Sequence, residues 1–195
     1  LHWAATEGAI PIVNLILTHL DQTSTGFPHS SSRTNMSGLG VEIHPSSPNN
    51  TRDKSGCTPL LIAAPYGHAD LAAFLIKRGA DPLAVDDSKD TALQWAAYKG
   101  SVSVCGLLLH LNGIQGHLDE VDVFEQTPLH LASLRGNTDV IDYIMEQSCT
   151  YELNRRNQAS SDIEQGTKHF AEKLLTMTDK DGKTPVDLAI KKKKD

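Results

Sequence analysis

Thr127-Pro-Leu-His-Leu-Ala-Ser-Leu-Arg-Gly136 carries the start and stop signals of one short helix. Thr127 is an N-cap, with a hydroxyl placed to accept from backbone N–H groups of the first turn. Pro128 follows at the first helical position, where a missing N–H costs nothing. Leu129 opens the buried face, and Gly136 ends the helix in a left-handed cap. Working outward, the same pattern recurs. Asp53-Lys-Ser-Gly-Cys-Thr-Pro-Leu60, Asp86-Asp-Ser-Lys-Asp-Thr-Ala-Leu93, Asp122-Val-Phe-Glu-Gln-Thr-Pro-Leu129 and Asp179-Lys-Asp-Gly-Lys-Thr-Pro-Val186 align. Their threonines, Thr58, Thr91, Thr127 and Thr184, are spaced by 33, 36 and 57 residues, and the last interval is one 33-residue period plus 24. Leu1-His-Trp-Ala-Ala-Thr-Glu-Gly8 matches the segment that follows each threonine. The small pairs Ala4-Ala5, Ala63-Ala64 and Ala96-Ala97 let neighbouring helices approach, and Gly8, Gly67 and Gly100 repeat the stop. A second helix follows each first one, with apolar residues at helical spacing: Leu71, Phe74, Leu75; Val104, Leu107, Leu108; Val140, Ile141, Ile144.

A period of this length with a Thr-Pro-Leu-His start resembles the ankyrin repeat. The expected fold is an all-α solenoid of helix-turn-helix pairs joined by hairpin loops. It has about five repeats, the first and last incomplete, and two loop insertions. Residues 1–20 form a partial repeat, and 21–52, rich in Ser, Thr, Asn, Pro and Gly, form a disordered insertion. Whole repeats occupy 53–85, 86–121 and 122–147. Residues 148–178 are a second insertion, in which Ile163, Phe170 and Leu174 suggest a short extra helix, and 179–195 are a partial repeat without a second helix. Lys89 and Glu125 replace the loop glycine, Pro65 shortens its helix, and Leu61 and Gln94 replace the histidine that His2 and His130 keep.

The composition narrows the function. Net charge is −6, which argues against a nucleic-acid surface. No apolar run is long enough to span a membrane. The three cysteines, Cys57, Cys105 and Cys149, make no Cys-x-x-Cys pair and fit a reducing, cytosolic setting. Cys105 reads as an inert buried thiol. His110 and His117 have loose ligand spacing but no supporting cysteine or carboxylate set, so neither metal nor other cofactor is expected. No phosphate loop, nucleophile elbow or other catalytic motif occurs. Asp86-Asp87 and Asp179-Lys-Asp181 read as solvated turn formers. Ser47-Pro48 reads as an unmodified loop segment, and Asn35-Met-Ser37 and Asn49-Asn-Thr51 as chance matches to the glycosylation pattern. The run Lys191–Lys194 reads as a solvated helix end, with a nuclear signal or a membrane-adjacent cluster as the alternatives.

Binding is therefore expected on the concave face, where a solenoid presents its loop tips and first helices to another protein or peptide segment. The candidate contacts are Trp95, Tyr98, Lys99, Phe124, Tyr66, Leu134 and Arg135. Trp95 and Tyr98, three apart on a helix, should form one aromatic patch. Phe124 at a loop tip is either an anchor for a partner or packed on the neighbouring loop. Trp3 is expected to be semi-buried framework.

The same residues carry a narrower likeness. Leu1-His-Trp-Ala-Ala, then Thr91-Ala-Leu-Gln-Trp-Ala-Ala-Tyr-Lys-Gly100, then Thr127-Pro-Leu-His-Leu-Ala-Ser-Leu-Arg-Gly-Asn137, then Asp181-Gly-Lys-Thr-Pro-Val-Asp-Leu-Ala189 resemble, in this order, the ankyrin arm of the Asp-His-His-Cys palmitoyltransferases. That resemblance implies an arm that recruits proteins for acylation, with Trp95 near the docking surface. It also implies a cytosolic-facing position on a Golgi or other endomembrane, reached through sequence outside this chain. The Asp-His-His-Cys motif and its zinc cysteines are absent here, so this chain itself is not expected to catalyse acylation. The alternative is a soluble ankyrin-repeat scaffold or signalling adaptor.

Overall fold

Four times the chain makes the same turn, and an aspartate builds it. Asp53, Asp86, Asp122 and Asp179 each place Oδ1 on the backbone N–H groups two and four residues ahead, at 2.8–3.0 Å. The backbone closes each loop from the aspartate N–H to the carbonyl four residues on, at 2.9–3.2 Å. Asp86, Asp122 and Asp179 are consequently buried, at 5–7% exposure. This corrects the reading of Asp86 and Asp179 as solvated. Their carboxylates are engaged by their own backbone, and only Asp87 and Asp181 face water. The tips are then tied to one another: Asp87 N–H donates to Ser55 O (3.2 Å), Val123 to Ser88 O (3.0 Å) and Lys180 to Phe124 O (3.1 Å).

The computed structural model describes residues 1–23, 34–35, 42–43, 48–111, 117–158 and 170–194. First helices of the repeats are α1 (His2–Thr6), α3 (Pro59–Ala63), α5 (Ala92–Lys99), α7 (Pro128–Arg135) and α10 (Pro185–Lys194). Second helices are α2 (Ile10–Thr23), α4 (Ala69–Lys77), α6 (Val102–His110) and α8 (Thr138–Gln158), and α9 (Phe170–Thr176) precedes the last hairpin. Contacts run between neighbours, α1 to α3 to α5 to α7 to α10 in one layer and α4 to α6 to α8 in the other. The fold is the all-α solenoid expected.

Local chemistry explains the element ends. Thr58, Thr91 and Thr127 accept from the N–H three residues on and start α3, α5 and α7. Gly100 and Gly136 stop α5 and α7 with φ of 80° and 74°. With Pro65 in its path, α3 is five residues long, against eight for α5 and α7. The alanine pairs are at most 1% exposed, so adjacent first helices meet nearly backbone to backbone. Leu71, Leu75, Val104, Leu108, Val140 and Ile144 seal the space between layers, while Phe74, Leu107 and Ile141 are half-buried beside them.

Both insertions have described parts. Helix α2 continues to Thr23, and Thr34–Asn35 pairs antiparallel with Glu42–Ile43. A 3-10 turn, Pro48–Asn50, docks on the loop after α4: Asn49 Nδ2 donates to Arg78 O, Asn50 Nδ2 to Gly79 O (3.2 Å), and Asp81 N–H to Asn50 Oδ1 (2.8 Å). Asn49 is buried with its amide nitrogen engaged, which favours the chance reading of Asn49-Asn-Thr51 as a glycosylation pattern. The remainder of the expected disordered segment, with Ser47 and Met36-Ser37, lies outside the described residues, as does Ile163. Helix α8 does not stop at Gln147 but runs to Gln158, because Ser148 and Glu152 continue its buried face. Phe170 N–H donates to Glu152 Oε2 (3.1 Å), and Leu174 of α9 is fully buried.

Lys89 and Glu125 adopt φ of 64° and 61°, and Gly56 and Gly182 hold the same slot at 75° and 72°. A side chain there meets its own backbone, so Lys89→Gly and Glu125→Gly should each stabilise the chain by up to about 1 kcal/mol. Urea midpoints check this, and an unchanged or lowered midpoint would count against strain at the slot.

Candidate partner-binding face

One slot near the start of each first helix is held by His2, Leu61, Gln94, His130 and Asp187 in chain order, and three of the five reach the next hairpin through it. His2 Nε2 lies 3.0 Å from Cys57 O. Gln94 Oε1 accepts from Thr91 N–H (2.8 Å) while its Nε2 donates to Gln126 O (3.0 Å). His130 does the same with a ring: Nδ1 accepts from Thr127 N–H (3.2 Å), and Nε2–H then donates to Met177 O (3.1 Å). Leu61 cannot donate, and at that joint Arg52 Nη1 donates instead to Gly56 O (3.2 Å) and Val85 O (2.6 Å). Asp187 keeps the cap alone, with Oδ2 accepting from Thr184 N–H (3.0 Å).

On this frame α5 and α7 bring four of the seven predicted residues together. Trp95 is half-buried, and its Nε1 donates to Asp86 Oδ2 (2.9 Å). Its ring meets Tyr98 edge-on at 6.1 Å. Arg135 stacks over Tyr98 at 4.9 Å, and the Lys99 ammonium lies 5.8 Å from the same ring. Asn137 fixes the end of α5 by donating to Ala97 O (2.8 Å) and Tyr98 O (3.0 Å). Leu134 is the partly exposed neighbour of Arg135. Tyr66 and Phe124 stand apart. Tyr66 stacks on His68 at 6.2 Å, and Phe124 projects from its tip at 59% exposure with only its backbone tied to Lys180. The neighbouring loop therefore holds the Phe124 main chain and leaves the ring in water.

Trp3 is a correction: it is 70% exposed, not semi-buried. The half-buried Trp95 is braced by an aspartate in a hairpin nine residues upstream. The exposure of Trp3 was not legible from its slot in the repeat.

Electrostatics near the patch are uneven. Asp90 is held by burial, and by Asp86 and Asp122 beside it, at a carboxyl pKa pushed up to about 7. Native chain thus keeps this proton where unfolded chain has lost it, from 3.8 upward. Stability falls as pH rises through that window, and the penalty is complete above about 7. Asp90→Asn should therefore raise stability at pH 8 by about 1 kcal/mol, after discounting for solvent, and change little at pH 4. Paired thermal melts test this, and equal shifts at both pH values would refute it. Burial pushes the Cys105 thiol up to about 12 and Cys57 to about 11, leaving both protonated and unreactive at neutral pH. His110 Nδ1 lies 2.7 Å from Gly106 O, and His117 pairs with Glu120 at 2.6 Å. Among the described residues no three metal-binding side chains converge, and no helix is long and apolar enough to cross a membrane.

A stack of helix pairs with tied hairpin tips is a repeat solenoid. The chain belongs to the ankyrin-repeat family: the description of ankyrin repeats in three copies matches residues 1–120 and 83–157. It is similar to Protein fem-1 homolog A-like of Mus musculus, 31% identical over 100 residues, which are 51% of this chain and 15% of that protein. It is also similar to Ankyrin repeat and KH domain-containing protein 1 of Homo sapiens, 42% identical over 79 residues, which are 40% of this chain and 3% of that protein. Ankyrin repeat domain-containing protein 17 of Homo sapiens matches to the same extent. The chain thus spans a small part of the length of the relatives it matches. Ankyrin repeats are protein–protein interaction modules, and that is the general class of this chain.

Proposed function

We propose that the chain is a docking arm whose concave face binds a protein segment through Trp95, Tyr98, Lys99 and Arg135, with Leu134 beside them and Tyr66 and Phe124 as separate outlying contacts. The observation that carries this is the placement of Arg135 on the Tyr98 ring beside Trp95, an aromatic and cationic surface of the kind that dominates interface energy. Trp95→Ala is an imperfect probe, since it also breaks the Asp86 bond and should cost stability. Tyr98→Ala is cleaner. Partner recovery from cell extract should drop at least about tenfold, which corresponds to about 1.4 kcal/mol, with a thermal midpoint within a few degrees of the parent. Undiminished recovery would remove the patch from the docking face.

The parent protein, in this reading, is a membrane S-palmitoyltransferase whose substrates this arm recruits on the cytosolic face of an endomembrane. Support comes from the order of repeat signatures and the position of Trp95 in Trp95-Ala-Ala-Tyr98. A soluble scaffold or adaptor is the second reading, favoured by relatives in which a similar segment is 3–15% of a long chain. Transcript sequence past Asp195 separates the two. Membrane spans with Asp-His-His-Cys support the first, and their absence sinks it.

A further inference from the structure

The slot eight residues after each hairpin threonine holds Tyr66, Lys99, Arg135 and Lys192, and Glu7 has the matching place in the first repeat. In a chain of net charge −6, its second half presents three consecutive cations on one line. All three are exposed. Among the described residues the side-chain ion pairs are His117–Glu120 and Lys173–Asp119, so no carboxylate is paired with any of the three. They sit on helices in direct contact, α5 with α7 and α7 with α10. A Cβ on Gly136 would lie 3.4 Å from Lys192 Cγ, which places that side chain against the end of α7. Packed helices lie about 8–10 Å apart, so the cations repeat at roughly that interval. An extended peptide in the polyproline II conformation rises about 3.1 Å per residue with three residues per turn, so every third side chain returns to the same face at about 9 Å.

We propose that Lys99, Arg135 and Lys192 form a row that binds an extended peptide segment carrying Asp or Glu at every third position. This rests on the docking-face reading and adds the chemistry of the partner. Arg135 is the central receptor. Its guanidinium lies over the Tyr98 ring at 4.9 Å, and a guanidinium can take a carboxylate with two parallel bonds. Half-buried Trp95 offers apolar surface to a residue between the acids. A lipid surface is the less suitable occupant, because a bilayer meets charges spread over a plane, whereas Lys99, Arg135 and Lys192 follow one line and only at α10 do Lys191 and Lys193 widen it.

A displayed library of peptides of about ten residues, enough to span the row, panned on the 195-residue chain tests this. Enriched peptides should carry acids at three-residue spacing and weaken severalfold as salt rises from about 0.05 to 0.5 M. Arg135→Glu and Lys192→Glu should each weaken them at least about tenfold, with unchanged circular dichroism, and Arg135→Glu should recover binding to peptides with Lys at the central acid. Enriched peptides without acidic excess, still bound by the Arg135→Glu chain, would overturn the row while leaving the docking arm intact. No enrichment over an unrelated repeat protein would count against both. Displacement of the peptides by phosphatidylserine vesicles, but not by phosphatidylcholine vesicles, would overturn the peptide assignment in favour of a membrane.

Discussion

His130→Ala should lose about 3 kcal/mol of stability, while His130→Gln should lose less than about 1. His130 is fully buried, accepts from Thr127 N–H and donates to Met177 O, so the alanine leaves buried groups on both sides unpaired beside a cavity. Glutamine is the control because Gln94, one repeat earlier, makes the same cap bond and likewise donates to a backbone carbonyl of the next hairpin, there Gln126 O. The damage should be local, since solenoid repeats are coupled only to their neighbours. Hydrogen exchange should quicken across residues 170–194 and hardly change across 53–85. Burial also holds the His130 imidazole below its ordinary pKa of 6.5, outweighing the pull of Asp179 in the other direction. A depressed base binds its proton more readily unfolded, so this group's stabilisation is full above 6.5 and declines as pH falls through the lower native value. The glutamine variant should lack that decline. Equal acid sensitivity in both chains would show that another group causes it.

Asp86→Ala is expected to cost about 3 kcal/mol as well, for a different reason. One carboxylate holds Ser88 N–H, Asp90 N–H and Trp95 Nε1–H. Truncation frees all three, two of them in the hairpin tied to its neighbours. Asp86→Asn keeps an oxygen for the two backbone groups but turns an N–H toward the indole, so about 1 kcal/mol is expected. The two variants also separate fold from face. Trp95 emission should shift in both, because both break the indole bond, whereas only the alanine should lower the urea midpoint strongly. An unmoved emission band in the alanine variant would place the indole elsewhere.

The frame of the molecule is legible because its signals are local and repeated. Thr58, Thr91 and Thr127 announce caps by residue type and spacing, the alanine pairs announce close approach, and Pro65 lies just past the end of the short α3. Lys89 and Glu125 show their positive φ because Gly56 and Gly182 hold the same slot. Non-local partners were hidden. Nothing in Asp86 alone tells that its second oxygen meets an indole nine residues later, or that Arg52 bridges where Leu61 cannot. The continuation of α8 past Gln147 was masked for a similar reason, since its buried face there is Ser148 and Glu152, polar residues that an apolar period passes over. At the candidate face, aromatic types and helical spacing pointed to Trp95 and Tyr98. The stacking of Arg135, from the following repeat, required the two helices to be placed side by side.

The bonds between hairpin tips have a mechanical consequence. Ser55 to Asp87, Ser88 to Val123 and Phe124 to Lys180 run along one edge of the stack, while the second helices α4, α6 and α8 meet mainly by apolar packing, with Tyr143 OH on His110 Nδ1 (3.1 Å) joining α8 to α6. Directed bonds resist stretching far more than sliding side chains do. Under load the molecule should behave as a leaf spring with one inextensible margin, opening or tightening its curvature by slip among the second helices while the tips keep their pitch.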